Sequence, residues 1–106
     1  MQSQNETYAD VILPLALGAT FTYSVPAELA QVVRVGMRVI VQFGKRKVYS
    51  AIIKQIHHKK PSAYQTKDIV ALIDDFPIVN SLQLAFWDWI ATYYMCSIGE
   101  VYKPIS

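Results

Sequence analysis

The stretch with the most chemical potential is Gly44-Lys45-Arg46-Lys47, a glycine followed at once by three cations. In the run before it, Val39, Val41 and Phe43 share one face by the period-2 rule, and Arg38 and Gln42 share the other. A second alternating run begins at Val48 and extends to Ile56. The pattern predicts a β-hairpin with cations at its tip. A bare glycine backbone beside positive charge can hold a phosphate; the competing reading is a solvated turn. It is not a nucleotide-binding P-loop, because Arg46 stands where that motif needs Ser or Thr and no glycine lies five residues before Gly44. His57 and His58 are adjacent, cannot both face one site on a regular strand, and lack a third ligand at sensible spacing. They read as solvated or phosphate-facing. Asp74-Asp75 stands before Phe76-Pro77 and reads as turn chemistry, not as a catalytic carboxylate pair. Cys96 is the one cysteine, so it has no internal disulfide partner and reads as a small buried hydrophobe. No constellation suited to catalysis is present.

Charge is distributed unevenly. The net charge is only +2, yet nine of the ten Lys and Arg residues lie between Arg34 and Lys67, and no Asp or Glu falls between Leu29 and Lys67. That polarity predicts an electropositive face suited to an anionic partner, set against the simpler reading of solvated lysines on alternate strand positions.

These residues need a scaffold, and 106 residues with 53% hydrophobic content allow one domain with a modest core. The expected domain spans residues 8–106, behind a disordered polar tail at 1–7. Five strands are expected: Tyr8–Leu13, Thr20–Val25, Arg38–Phe43, Val48–Ile56 and Asp68–Ile73. Ala27–Val33 reads as a helical turn or loop. From Ser81 the period changes: Leu82, Ala85, Phe86, Trp89, Ile90 and Tyr93 fall at helical spacing, with Asn80 or Ser81 as the N-cap and an end near Met95 or Cys96. This aromatic stripe is expected to be core. Glu100-Val101-Tyr102 begins a second short helix. The fold class is therefore mixed β+α: a small, partly open five-stranded β-barrel, OB-like, with a C-terminal helix packed on one side. Barrels of this kind bind single-stranded nucleic acid through cationic grooves and exposed aromatics. No apolar run reaches membrane-spanning length and no leader pattern is seen, so a cytoplasmic setting without membrane contact is expected.

Several pieces, taken in order, resemble a known family: Val11-Ile12-Leu13-Pro14-Leu15, Thr20-Phe21-Thr22-Tyr23, Gly36-Met37-Arg38-Val39, Val41-Gln42-Phe43-Gly44-Lys45-Arg46, Lys67-Asp68-Ile69-Val70, Tyr93-Tyr94 and Ile98-Gly99-Glu100-Val101. Each is weak alone. Together, from about Tyr8 to Pro104, they resemble the amino-terminal 3′-end DNA-binding domain of the primosomal protein N′ (PriA) family of bacterial replication-restart helicases. The resemblance implies a non-catalytic domain that recognises the 3′-hydroxyl terminal nucleotide of the nascent leading strand at stalled forks. It further implies that the helicase motor, with its ATP, magnesium and zinc, lies elsewhere in the family protein, so no cofactor is expected here. A bacterial cytoplasmic, nucleoid-associated location goes with it.

Carried over position by position, the resemblance assigns DNA contact to Phe21, Thr22, Tyr23, Gly44, Lys45, Arg46 and Lys67. Phe21 would pack beside the terminal sugar or base, and Phe21 or Tyr23 would wall off a continuing strand. Gly44 would admit a close backbone approach. Lys67, helped by Lys45 and Arg46, would meet phosphate. Thr22 stands where many members carry Asp; it keeps a hydroxyl but not the charge, which would soften end selectivity, shift base preference or move the contact to the backbone. The period-2 pattern by itself leaves Phe21 and Tyr23 open between pocket wall and core. Tyr93-Tyr94 and Gly99–Val101 are expected to be structural, at the boundary with the next domain. The alternative function is a protein-interaction β-barrel that docks single-strand-binding protein or primosome components.

Overall fold

The computed structural model describes residues 6–104; most of the expected tail lies outside them. Five strands appear in chain order: β1 (Thr7–Ile12), β2 (Phe21–Val25), β3 (Arg38–Gln42), β4 (Val48–His57) and β5 (Ala71–Leu72). They form one antiparallel sheet of order β2-β1-β4-β3-β5, curled into a half-barrel. Two helices follow, α1 (Ser81–Tyr93) and α2 (Ile98–Tyr102). The mixed β+α architecture expected from the sequence is present. No described helix is long and apolar enough to cross a membrane.

The expected fifth strand is shorter than its apolar pattern, because the segment changes partners midway. Ser24 pairs with Asp68 in parallel, with Ser24 N donating to Lys67 O and Ile69 N donating to Ser24 O, both at 2.9 Å. From Val70 onward the bonds go instead to β3: Val70 N to Ile40 O and Ile73 N to Arg38 O. One segment thus ties both edges of the sheet together. The edge backbone of β2 is satisfied, as a buried or half-buried edge requires.

β4 carries a bulge against β1. Asp10 pairs with Gln55, but the next residue, Val11, pairs with Ile53, leaving Lys54 as the extra residue. A bulge bends its strand and slips the period-2 alternation by one. Ala51 and Ile53 therefore point into the half-barrel, and after the bulge it is Ile56, not Gln55, that packs there. His57 is turned to the outer face by the same slip.

Two apolar cores result. One fills the half-barrel: Ala9, Val11, Tyr23, Val25, Val39, Val41, Ala51 and Ile53, with Ile69 closing the seam. The other lies between the outer face and the helices: Ile12 and Ile52 against Val79, Leu84, Trp87 and Tyr102. Because β1 and β4 are covered on both faces, they read as nearly continuous apolar runs such as Ala51-Ile52-Ile53, without alternation. The Tyr102 hydroxyl donates to Ser50 O at 3.0 Å, so its full burial leaves no polar orphan.

α1 begins at Asn80, whose side chain accepts from Gln83 N while Gln83 Oε1 accepts from Asn80 N, both at 2.8 Å. It ends at Tyr93, two to three residues before the expected stop. Met95 adopts φ +57°, Met95 N donates to Thr92 O and Cys96 N donates to Ala91 O, closing the last turn with a left-handed residue. The expectation that the stripe Leu82, Phe86, Trp89, Tyr93 is core is corrected. Leu84 and Trp87 are the buried residues, whereas Leu82, Phe86, Trp89 and Tyr93 are exposed. The helix is apolar on both sides, so helical spacing alone fits either face. The facing is set by contacts distant in sequence: Trp87 stacks on Tyr102 at 5.9 Å, and Asp88 pairs with Lys54 at 2.9 Å. α2 presses on the β1–β2 loop at Gly99, where a Cβ would fall 2.0 Å from Leu15 O. Cys96 is only half-buried, not the buried hydrophobe expected.

Asp74 does more than form a turn. Its carboxylate accepts from Arg38 Nε at 3.0 Å, Arg38 Nη2 at 2.7 Å and Arg38 N at 2.8 Å. The guanidinium bonds hold this carboxyl below the usual range. The clamp joins the end of the fifth segment to the start of β3.

Candidate nucleic-acid interface

The free end of β2 faces two loops across the seam of the half-barrel. One is the β3–β4 turn, residues 43–47; the other is the stretch 64–67 leading to β5. Between them lies a cavity of about 230 Å³ lined by Phe21, Thr22, Tyr23, Gln42, Phe43, Gly44, Tyr64, Gln65 and Lys67. Drug-sized sites run to roughly 300–1,000 Å³, so this one suits a single ring-sized group more than an extended ligand.

Five of the seven residues assigned to DNA from the sequence line this cavity: Phe21, Thr22, Tyr23, Gly44 and Lys67. Lys45 and Arg46 do not. They stand exposed on the hairpin tip beside Gly44. Two aromatics make one wall, Phe21 meeting Phe43 edge-on at 5.0 Å, and Phe43 also meets Tyr49, outside the lining, at 6.5 Å. The choice between core and pocket for Tyr23 is not exclusive. Its ring is 4% exposed within the half-barrel core, while its hydroxyl crosses the seam to donate to Gln42 O at 2.7 Å. Burial first, and neighbouring Tyr64 second, push that hydroxyl above its ordinary value, so it stays a donor. Phe21 is half-buried, packed on the core with its edge at the cavity.

Gly44 has φ +82°, the left-handed region, and a Cβ built there meets nothing within 4 Å. The turn therefore requires glycine for backbone conformation, and the space in front of it stays open. Gln42 braces the turn from below, its Nε2 donating to Lys45 O at 2.7 Å. Lys67 Nζ reaches Gly44 O at 3.3 Å, joining the two loops around the cavity. Among the described residues, no carboxylate pairs with Lys45, Arg46, Lys47 or Lys67, whereas Arg38 and Lys54 are tied to Asp74 and Asp88. Four cations without a carboxylate partner, Lys45, Arg46, Lys47 and Lys67, therefore stand at or beside this mouth, while Arg34, Lys59 and Lys60 of the same segment also have none among the described residues.

Tyr64, Gln65, Gln42 and Phe43 were not legible as site residues. Tyr64 lies in a polar loop with no periodic signal, yet its hydroxyl accepts from Thr22 N at 2.8 Å. His58 is exposed, in keeping with the expectation, but His57 is neither solvated nor phosphate-facing. His57 is half-buried against Tyr8 and its Nε2 lies 2.9 Å from Asp10 Oδ1, while His58 Nδ1 contacts Glu6 O. No described group of three or more His, Cys, Asp or Glu residues is placed to hold a metal ion.

An aromatic wall, an open glycine backbone, cations without a carboxylate partner and a small cavity form a site suited to a polyanionic chain with ring-shaped units. Comparison with known proteins agrees in kind. The chain is 29% identical over 97 residues to the replication restart protein PriA of Treponema pallidum (strain Nichols), covering 88% of this chain and 15% of that protein. It is 26% identical over 87 residues to replication restart protein PriA of Bacillus subtilis (strain 168), covering 79% of this chain and 11% of that one. The chain therefore spans less than a fifth of the length of these curated relatives. The family profile for the 3′ DNA-binding domain (3′BD) of PriA matches residues 10–106, and the chain belongs to that family: it is a non-catalytic DNA-binding domain of the replication-restart kind.

Proposed function

We propose that this domain captures the free 3′-hydroxyl end of a DNA strand, the nascent leading strand at a stalled fork. One observation carries the reading: the small cavity at the seam gathers Phe21, Thr22, Tyr23, Gly44 and Lys67 from three separate parts of the chain. A terminal sugar or base stacks on the Phe21–Phe43 wall. Its penultimate phosphates meet Lys67 and the tip cations Lys45 and Arg46. The open space before Gly44 admits the sugar-phosphate backbone. Motor, ATP, magnesium and zinc belong, on this reading, to the rest of a longer family protein working in the bacterial cytoplasm. Fluorescence anisotropy tests it with three labelled single strands ending in a 3′-hydroxyl, ending in a 3′-phosphate, or closed into a circle. Tightest binding to the hydroxyl end is expected. Equal and steeply salt-dependent binding to all three would reduce the site to a cationic groove.

A second reading, docking on a protein, is favoured by the exposed face of α1. Phe86, Trp89 and Tyr93 stack in series at 6.0 and 5.0 Å, and the helix carries no Lys or Arg to attract nucleic acid. The rest of the family polypeptide, single-strand-binding protein or a primosome component would be the partner. Unchanged docking in a full-length family protein bearing Trp89→Ala and Tyr94→Ala would remove this reading.

A further inference from the structure

Asp10, Thr22 and His57 meet on the outer face of the sheet, beside the cavity. Asp10 and Thr22 are direct cross-strand partners in β1 and β2. The Lys54 bulge brings His57 to the same face. Thr22 Oγ1 donates to Asp10 Oδ1 at 2.6 Å. His57 Nδ1 accepts from Lys59 N at 3.0 Å, so the ring carries its proton on Nε2 and donates it to the same Oδ1 at 2.9 Å. A hydroxyl has one proton, and that of Thr22 is used. Towards any further partner, Thr22 is an acceptor only.

We infer that Asp10, held by His57, is a positioning residue that fixes the Thr22 hydroxyl as an acceptor and thereby selects a strand ending in a hydroxyl over one ending in a phosphate. The inference rests on the end-capture reading above and deepens it. A 3′-hydroxyl can donate to Thr22. A 3′-phosphate offers acceptor oxygens and about −1.5 to −2 charges, so it meets an acceptor with an aspartate behind it. The selection is needed because Lys67 and the tip cations, left alone, favour the more anionic end. His57 accounts for a half-buried histidine that the DNA contacts do not otherwise use, and the bulge accounts for its orientation.

The test is the ratio of affinities for 3′-hydroxyl and 3′-phosphate strands, measured on the 106-residue chain by anisotropy, with thermal melts to verify folding. Thr22→Val and Asp10→Ala are expected to lower the ratio about fivefold, the worth of one net hydrogen bond, and His57→Ala to lower it in the same direction. Thr22→Ser, which keeps the hydroxyl, is expected to retain it, and Asp10→Asn, which keeps the accepting oxygen but loses the charge, to lower it less than Asp10→Ala does. A purely structural role would lower both affinities together and leave the ratio unmoved. If Asp10→Ala does not fold, Thr22→Val against Thr22→Ser carries the test. A wild-type ratio of one overturns end capture itself. A wild-type preference that survives Thr22→Val and Asp10→Ala overturns the relay alone.

Discussion

Gly44 offers a perturbation whose effects on folding and on binding separate cleanly. Its φ of +82° lies where an L-residue with a Cβ is disfavoured by about 1–2 kcal/mol. The new Cβ of Gly44→Ala meets no protein atom within 4 Å, so no steric cost adds to the backbone cost. For a domain of this size, 1 kcal/mol corresponds to roughly 4–8 °C in Tm, and a fall of about 4–15 °C is expected. Gly44→Asn separates the two effects, because Asn tolerates the left-handed region and loses much less stability. Its side chain nevertheless enters the open space in front of the turn. The expected outcome is a near-native melt with DNA affinity reduced about tenfold or more, the loss that follows when roughly 1.4 kcal/mol of contact is blocked. The assay pairs differential scanning calorimetry with anisotropy at a temperature where all variants are folded. Native affinity in a folded Gly44→Asn would refute the close approach of DNA at this backbone. A native melting temperature in Gly44→Ala would refute the conformational argument.

Three further outcomes are expected. Asp74→Ala removes three bonds to Arg38 and should cost about 2 kcal/mol at neutral pH by chemical denaturation. Because the folded carboxyl titrates below its unfolded value, the stabilisation is fully present above about pH 4 and lost as pH falls through the folded value; the wild type and variant should therefore converge in acid. Lys67→Ala should lower affinity for all single strands and reduce the slope of log K against log salt by about 0.7, the contribution of one phosphate contact; an unchanged slope would place the lysine away from phosphate. Leu84→Ala should destabilise by about 2–4 kcal/mol while Leu82→Ala stays within about 0.5 kcal/mol, reversing the order that the stripe from Leu82 to Tyr93 suggests.

Local signals in the chain reach a definite distance. Strand alternation, the N-cap at Asn80 and the Gly44 turn are properties of a few neighbouring residues, and they determined the strands, α1 and the hairpin that carries the cations. The ordered set of short motifs determined the family and most of the cavity lining. Tertiary structure decided the rest, each time because a local pattern fixes relative and not absolute orientation. A helix apolar on both sides has no sequence-encoded inner face, so Trp87 on Tyr102 and Asp88 on Lys54 chose it. Period-2 parity holds only until a bulge slips it, so His57 met Asp10 and Thr22 through an extra residue, Lys54, that no motif marks. The apolar run from Asp68 to Ile73 reads as one strand, but the curl of the half-barrel split it between β2 and β3. Tyr64, which sits in an unpatterned loop, reached the cavity only because that split segment closes the seam over the free edge of β2.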